Sequence, residues 1–242
     1  NVVTDVTAIS NEVSSSKSYL KQEAGISLAT KDTTNDSIKF LKDGFYDALQ
    51  LINQKETNEE RKFKFDTAGT HTLLENLGET KAGTLSINGY SNDSSVSVID
   101  LAGKTGFELA NGNTTINLNN ATLTDSASAS TNPLIQVKSA NNIINLNNAQ
   151  LKGNIVSETN SYKLNFSGSN VVVDGTVDKA IATLNNAQTT LTFNTDTFAT
   201  ASLSALKGTI NLQNSAINNY NIGTLESDTL YNIDVDAFNK QS

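Results

Sequence analysis

Eight letters recur in this chain, and the recurrence limits its fold more than any other feature. "INLNNATL" spans 116–123, "INLNNAQL" spans 144–151, and a looser copy, "INLQNSAI", spans 210–217. Each alternates a hydrophobe with a polar residue, which puts the hydrophobes on one face of a strand and the amides on the other. Alternation alone suits any half-buried sheet. A sandwich, whose neighbours are antiparallel hairpins, has no use for one octapeptide three times. A coil does, because each rung lies on the one before and a given position meets itself.

The expected fold is therefore all-β: a parallel β-helix, with an N-terminal helical capping region. Ile116, Leu118, Ile144, Leu146, Ile210 and Leu212 are expected to face inward. Asn117, Asn145 and Asn211 are expected to face outward. Asn120, Asn148 and Asn214 are assigned structural roles, turning corners or forming a ladder, since Asn tolerates the left-handed backbone of a tight corner. Ile116 and Ile144 are 28 residues apart and Ile144 and Ile210 are 66 apart. The larger gap reads as three turns of about 22 residues, and the whole coil as about seven or eight rungs.

Composition divides the chain. Residues 1–87 hold 6 Asn and residues 88–242 hold 27. Residues 1–62 are read as a partly helical cap or arm, and 63–242 as the β-helix. Within the first part, "NDSIKFLKDGFYDALQLINQ" (35–54) spaces Ile38, Leu41, Phe45, Leu49 and Ile52 three or four apart, which predicts an amphipathic helix capped by Asn35 or Asp36. Such a helix would cover the open strand edges at one end of the coil.

The remaining numbers exclude more than they assign. Hydrophobic residues make up 37% of the chain, which suits a narrow core with much surface. Net charge is −8 with no basic cluster, so nucleic acid is a poor partner. Cysteine is absent, removing disulfides, thiolate metal sites and thiol nucleophiles. No apolar run is long enough for a membrane helix. The chain begins with Asn and carries no signal segment, and is read as a piece of something longer.

A search for reactive groups finds little. His71 is the one histidine and has no convergent ligands in the sequence around it, so it is read as a surface or turn residue. Carboxylates suited to sugar chemistry come in two pairs, Asp174 with Asp178 and Asp234 with Asp236. The second pair shares one face of a strand and would suit Ca²⁺ if a neighbouring rung added oxygens. The sole Arg, Arg61, lies outside the repeats. No catalytic residue, cofactor-binding residue or metal site is assigned. A sugar-binding row of Asn needs aromatic platforms, and with 6 Tyr and no Trp the Asn are given structural roles instead.

The stretches "LSINGYSNDSSVSVIDLAGKTGFELANGNTTINLNNATLTDS" (85–126) and "GTINLQNSAINNYNIGTLESDTLYNIDVD" (208–236) resemble the passenger region of autotransporters, the type V secretion proteins, of the adhesin-like sort. That resemblance implies a right-handed coil, export across the bacterial outer membrane to the cell surface, and a C-terminal barrel elsewhere in the full-length protein. It implies adhesion as the function, with a host surface ligand, a glycan or another copy of the chain as partner. Loops 90–98, 124–133 and 157–162 would carry specificity. The alternative on the same fold is a polysaccharide lyase or glycosidase, which needs a carboxylate–basic cluster.

Overall fold

A computed structural model describes residues 29–32, 37–40, 48–65, 68–73, 75–90, 96–193, 196–212, 222–225 and 229–233. A hairpin opens the described chain, β1 (Ala29–Asp32) and β2 (Ser37–Phe40), followed by one short helix, α1 (Ala48–Asn53). Coiling starts with β3 (Arg61–Phe65), β4 (Gly69–Thr72) and β5 (Gly78–Glu79). It repeats as β6 (Gly83–Asn88), β7 (Ser97–Asp100) and β8 (Phe107–Leu109). The next rungs are β9 (Thr114–Asn119), β10 (Ala121–Thr124) and β11 (Ile135–Val137), then β12 (Ile143–Asn147), β13 (Gln150–Lys152) and β14 (Ile155–Ser157). After β15 (Tyr162–Ser167) and β16 (Asn170–Asp174) come two long strands, β17 (Ala180–Phe193) and β18 (Ser202–Leu212), and two short ones, β19 (Ile222–Leu225) and β20 (Thr229–Ile233).

From β2 pairing with β3 onward, every pairing is parallel, so the body is a β-solenoid of about six turns. It has three walls. The first stacks β3, β6, β9, β12, β15 and the starts of β17 and β18. The second stacks β4, β7, β10, β13, β16 and the ends of β17 and β18. The third holds β5, β8, β11 and β14 and continues through a parallel bridge from Ile155 to Val177 and a hydrogen bond from the Val177 N–H to the Thr197 carbonyl at 3.0 Å. After Thr197 the buried ring of Phe198 meets Phe193 edge to face, centroids 5.1 Å apart.

The core is a set of columns. Leu85, Ile116, Ile144, Leu164, Ala182 and Leu203 follow one another on the first wall, all 2% exposed or less. The first two octapeptides lie on each other in register, Ile116 on Ile144 through Leu123 on Leu151. The third copy does not join them. Ile210 is buried, but it stacks on Leu191 of the second wall, and the residue three turns on from Ile144 is Leu203. The cause is β18, one continuous strand serving two walls; an alternating pattern fits inward at either. Turn length also varies: 31 residues from Leu85 to Ile116, 28 to Ile144, 20 to Leu164, 18 to Ala182 and 21 to Leu203.

Among the described residues the helix expected over 35–54 is seen only at Ala48–Asn53, and Ser37–Phe40 form a strand against β3; the expected cap at Asn35 or Asp36 lies outside the described residues. The edge of β3 would otherwise leave its N–H and C=O groups unpaired, and a strand satisfies them where a helix cannot. The short helix packs against β3 and β5. Leu49 and Ile52 are buried, and the Asn53 amide donates to Leu77 O at 3.0 Å while accepting from Thr80 Oγ1 at 2.7 Å. Arg61 is only 3% exposed and donates to the carbonyls of Ile52, Asn53 and Lys81. Burial pulls its guanidinium from the ordinary 12.5 to about 10, so it remains charged at neutral pH against the negative end of α1.

Outside the first wall runs a hydrogen-bonded ladder. Asn165 donates to Asn145 at 2.9 Å, Asn145 to Asn117 at 2.8 Å, Asn117 to the Ser86 hydroxyl at 2.9 Å, and Ser86 to Glu60 at 2.6 Å. All four bonds point the same way, so each polarises the next. Replacing Asn145 with Ala strands the donor of Asn165 and the acceptor of Asn117. The expected loss is about 1–2 kcal/mol of stability, measured by urea unfolding.

Candidate functional site

The outward side of the first wall carries two polar rows. One runs Lys62, Ser86, Asn117, Asn145, Asn165 and the other Lys64, Asn88, Asn119, Asn147, Ser167. Alternation puts them outward because Phe63, Leu85, Ile87, Ile116 and Leu118 take the inward positions. Asn119 donates to Asn88 at 3.1 Å, so the second row is cross-linked as well.

At the N-terminal end of these rows is an open cleft of about 650 Å³. It is lined by Glu60, Lys62, Lys64, Ser86, Asn88, Gly89, Tyr90, Asn117, Asn119 and Asn120. Tyr90 is 39% exposed, one of two large hydrophobic side chains so exposed among the described residues. Its backbone is fixed nonetheless: its N–H donates to Ser97 Oγ at 2.8 Å, and its carbonyl accepts from the Ser97 N–H at 3.0 Å. Gly89 lets the wall close, since a Cβ there would lie 1.9 Å from the carbonyl oxygen of Asn120. A smaller cleft of about 250 Å³ lies further along, between Asn142, Ile143, Tyr162, Lys163 and Ile181.

The residues singled out from sequence fall in different places. Asn120 and Asn148 take φ of +52° and +47° at the corners between the first and second walls. Asn148 Oδ1 accepts from the N–H of Ser169 at 2.6 Å and of Asn170 at 3.2 Å in the next rung. Asn214 lies outside the described residues, as do Asp234 and Asp236. His71 is in β4, its ring 4.2 Å from that of Phe65. Asp174 ends β16, and Asp178 accepts from Thr200 Oγ1 at 3.3 Å. Arg61 is committed to backbone carbonyls, on the inward side. Among the described residues no group of three or more His, Asp or Glu could hold a metal ion. Of the three loops, 91–95 lies outside the described residues, while Ser157 Oγ donates to the Asn160 carbonyl at 2.6 Å within 157–162.

Sequence reasoning passed over Asp100. It is 6% exposed, at the end of β7, and accepts from the N–H groups of Ala102 and Ser126 and from the Ser126 hydroxyl at 2.6 Å. Burial opposes its charge, but the bonds from Ser126 and Ala102 outweigh that and hold its carboxyl below the ordinary range. The folded value is depressed, so the stabilisation is present above the unfolded value and is lost as pH falls through the folded one. Asp100→Ala is expected to lose about 1–3 kcal/mol at neutral pH. The gap from the native chain should close progressively below about pH 4 in thermal unfolding run across pH.

Tyr162 is perturbed in the opposite direction to Arg61 and Asp100. It is 2% exposed, and burial, with the charge of Asp178 second, pushes its phenol above the ordinary range. It packs at the start of β15, within the core.

The cleft offers amides, two ammonium groups, a hydroxyl, one carboxylate and one aromatic ring. That set suits hydrogen bonding to a polar ligand. Glu60 is the single carboxylate among its lining residues, whereas glycoside cleavage ordinarily uses two. No family model, curated protein or solved structure matches the chain.

Proposed function

We propose that this chain is a non-enzymatic adhesive β-solenoid, secreted or displayed at a cell surface, which binds through its Asn-rich outer wall or to further copies of itself. The observation that carries the reading is the pair of outward polar rows ending in an open polar cleft. A wall built of regularly spaced amides provides broad, repeated contact, and many weak polar contacts acting together hold a surface firmly. The passenger region of an autotransporter is the setting that best fits this reading. The parallel coil, the absence of cysteine and the acidic, polar composition all support it. In that setting the full-length protein crosses the outer membrane and ends in a barrel. Among the described residues, no helix is long and apolar enough to cross a membrane.

The test is direct. The purified chain is applied to cultured epithelial cells and to immobilised cell-surface extract, with light scattering on the same preparation. Saturable binding, or mass that grows with concentration, supports adhesion. A monodisperse monomer that adheres to neither surface overturns it, and the release of reducing ends from a polysaccharide would move the assignment to the lyase or glycosidase alternative.

A further inference from the structure

We infer that the cleft over β3, β6 and β9 is a saccharide subsite, with Tyr90 as the platform for a pyranose ring and Asn88, Asn117 and Asn119 as its hydrogen-bonding floor. This rests on the adhesive reading above and names the ligand class for it.

Four observations lead there. The first is size: about 650 Å³ is in the range of sites for small organic ligands. The second is what the amides have left to give. Asn117 spends one N–H on Ser86 and its oxygen accepts one bond from Asn145. A primary amide has two N–H donors and two acceptor sites, so one of each remains for a ligand. The same holds for Asn119, which spends one N–H on Asn88. Sugar hydroxyls donate and accept together, and a floor of such amides answers both needs at once.

The third is order. The ladder fixes each amide before any ligand arrives, so little side-chain freedom is lost on binding. Its steps follow the rung spacing of about 4.8 Å, close to the length of one pyranose ring, so an extended chain meets a fresh amide at each unit. The fourth is Tyr90. Tyr90 lines the cleft and is 39% exposed, while its backbone is clamped to Ser97. An aromatic face held this way packs against the C–H face of a sugar, with only two torsions to restrict. A peptide would instead want an apolar pocket for an anchoring side chain, and the lining is mostly polar.

The experiment titrates the native chain with cellotetraose, chitotetraose and tetragalacturonate, read by calorimetry and by NMR of the Asn side-chain amides. Tyr90→Ala and Asn88→Ala are run beside Gln136→Ala, which changes the outer side of the third wall. The expected result is binding of at least one oligosaccharide, with shifts confined to the cleft amides. Tyr90→Ala should weaken it roughly tenfold with Tm unchanged, and Gln136→Ala should leave it intact. Silence from all three sugars, or equal binding by Tyr90→Ala, overturns the subsite. If the native chain still adheres to cells or self-associates in that case, adhesion stands and works through another ligand; if it does neither, both readings fall together.

Discussion

Leu146→Asp is expected to unfold the middle of the solenoid. Leu146 is fully buried, stacked between Leu118 of the preceding rung and Phe166 of the next. A carboxylate in that column finds only hydrocarbon above and below. It must either be buried charged without a partner or take up a proton, and each route is costly. The expected loss exceeds about 4 kcal/mol, among the largest that single substitutions produce. Circular dichroism of the variant should show lost strand signal or a much lowered Tm. Leu146→Met, which keeps volume and apolarity, should cost less than about 1.5 kcal/mol. If Asp at 146 leaves Tm near native, the column of stacked side chains is not what holds the rungs.

The second large effect is expected at a residue with no side chain. Gly106 precedes β8 on the third wall, where Phe107 N–H donates to Leu134 O at 3.0 Å. A Cβ on Gly106 would lie 2.0 Å from that same oxygen and 2.8 Å from the carbonyl of Pro133. Both obstacles are backbone, so neither can swing aside as a flexible side chain would. Gly106→Ala must push two rungs apart and lengthen the bond that joins them. Overpacking of this kind costs about 1–3 kcal/mol or more. Thermal unfolding checks the size, and hydrogen exchange at Phe107 checks the place. Gly69→Ala is a useful contrast, since a Cβ there meets nothing within 4 Å and the cost comes only from its φ of +92°.

Much of this architecture can be read from letters alone, for a physical reason. In a coil, a position repeats its environment, so "INLNN" written twice betrays stacking before any coordinate is known. The inward residues follow from period two, and Ile116, Leu118, Ile144, Leu146, Ile210 and Leu212 are all buried. What period two cannot say is which wall a strand joins. Ile210 obeys the alternation yet stands over Leu191, because β17 and β18 run unbroken around a corner that two earlier rungs turn with Asn120 and Asn148 at positive φ. Helical spacing misled for a similar reason. Ile38 with Leu41 fits a helix, but the open edge of β3 is a long-range demand, absent from any local window. The ladder also sits at a different Asn from the pair singled out in advance: Asn120 and Asn148 turn corners, while Asn117, Asn145 and Asn165 bond to one another. The cleft was hidden for want of one fact. Tyr90 is an unremarkable letter until folding seats it beside the amide rows. Asp100 was hidden likewise, since its partner Ser126 is a full turn away.

Two rungs that carry the same text, laid letter on letter from Ile116–Ile144 to Leu123–Leu151, amount to a mould and its casting in one molecule. A further copy of the 28 residues separating them would find, on either side, the surface it already fits. Length in such a chain is an adjustable quantity, open to gain or loss of whole rungs by duplication and deletion without redesign of the core.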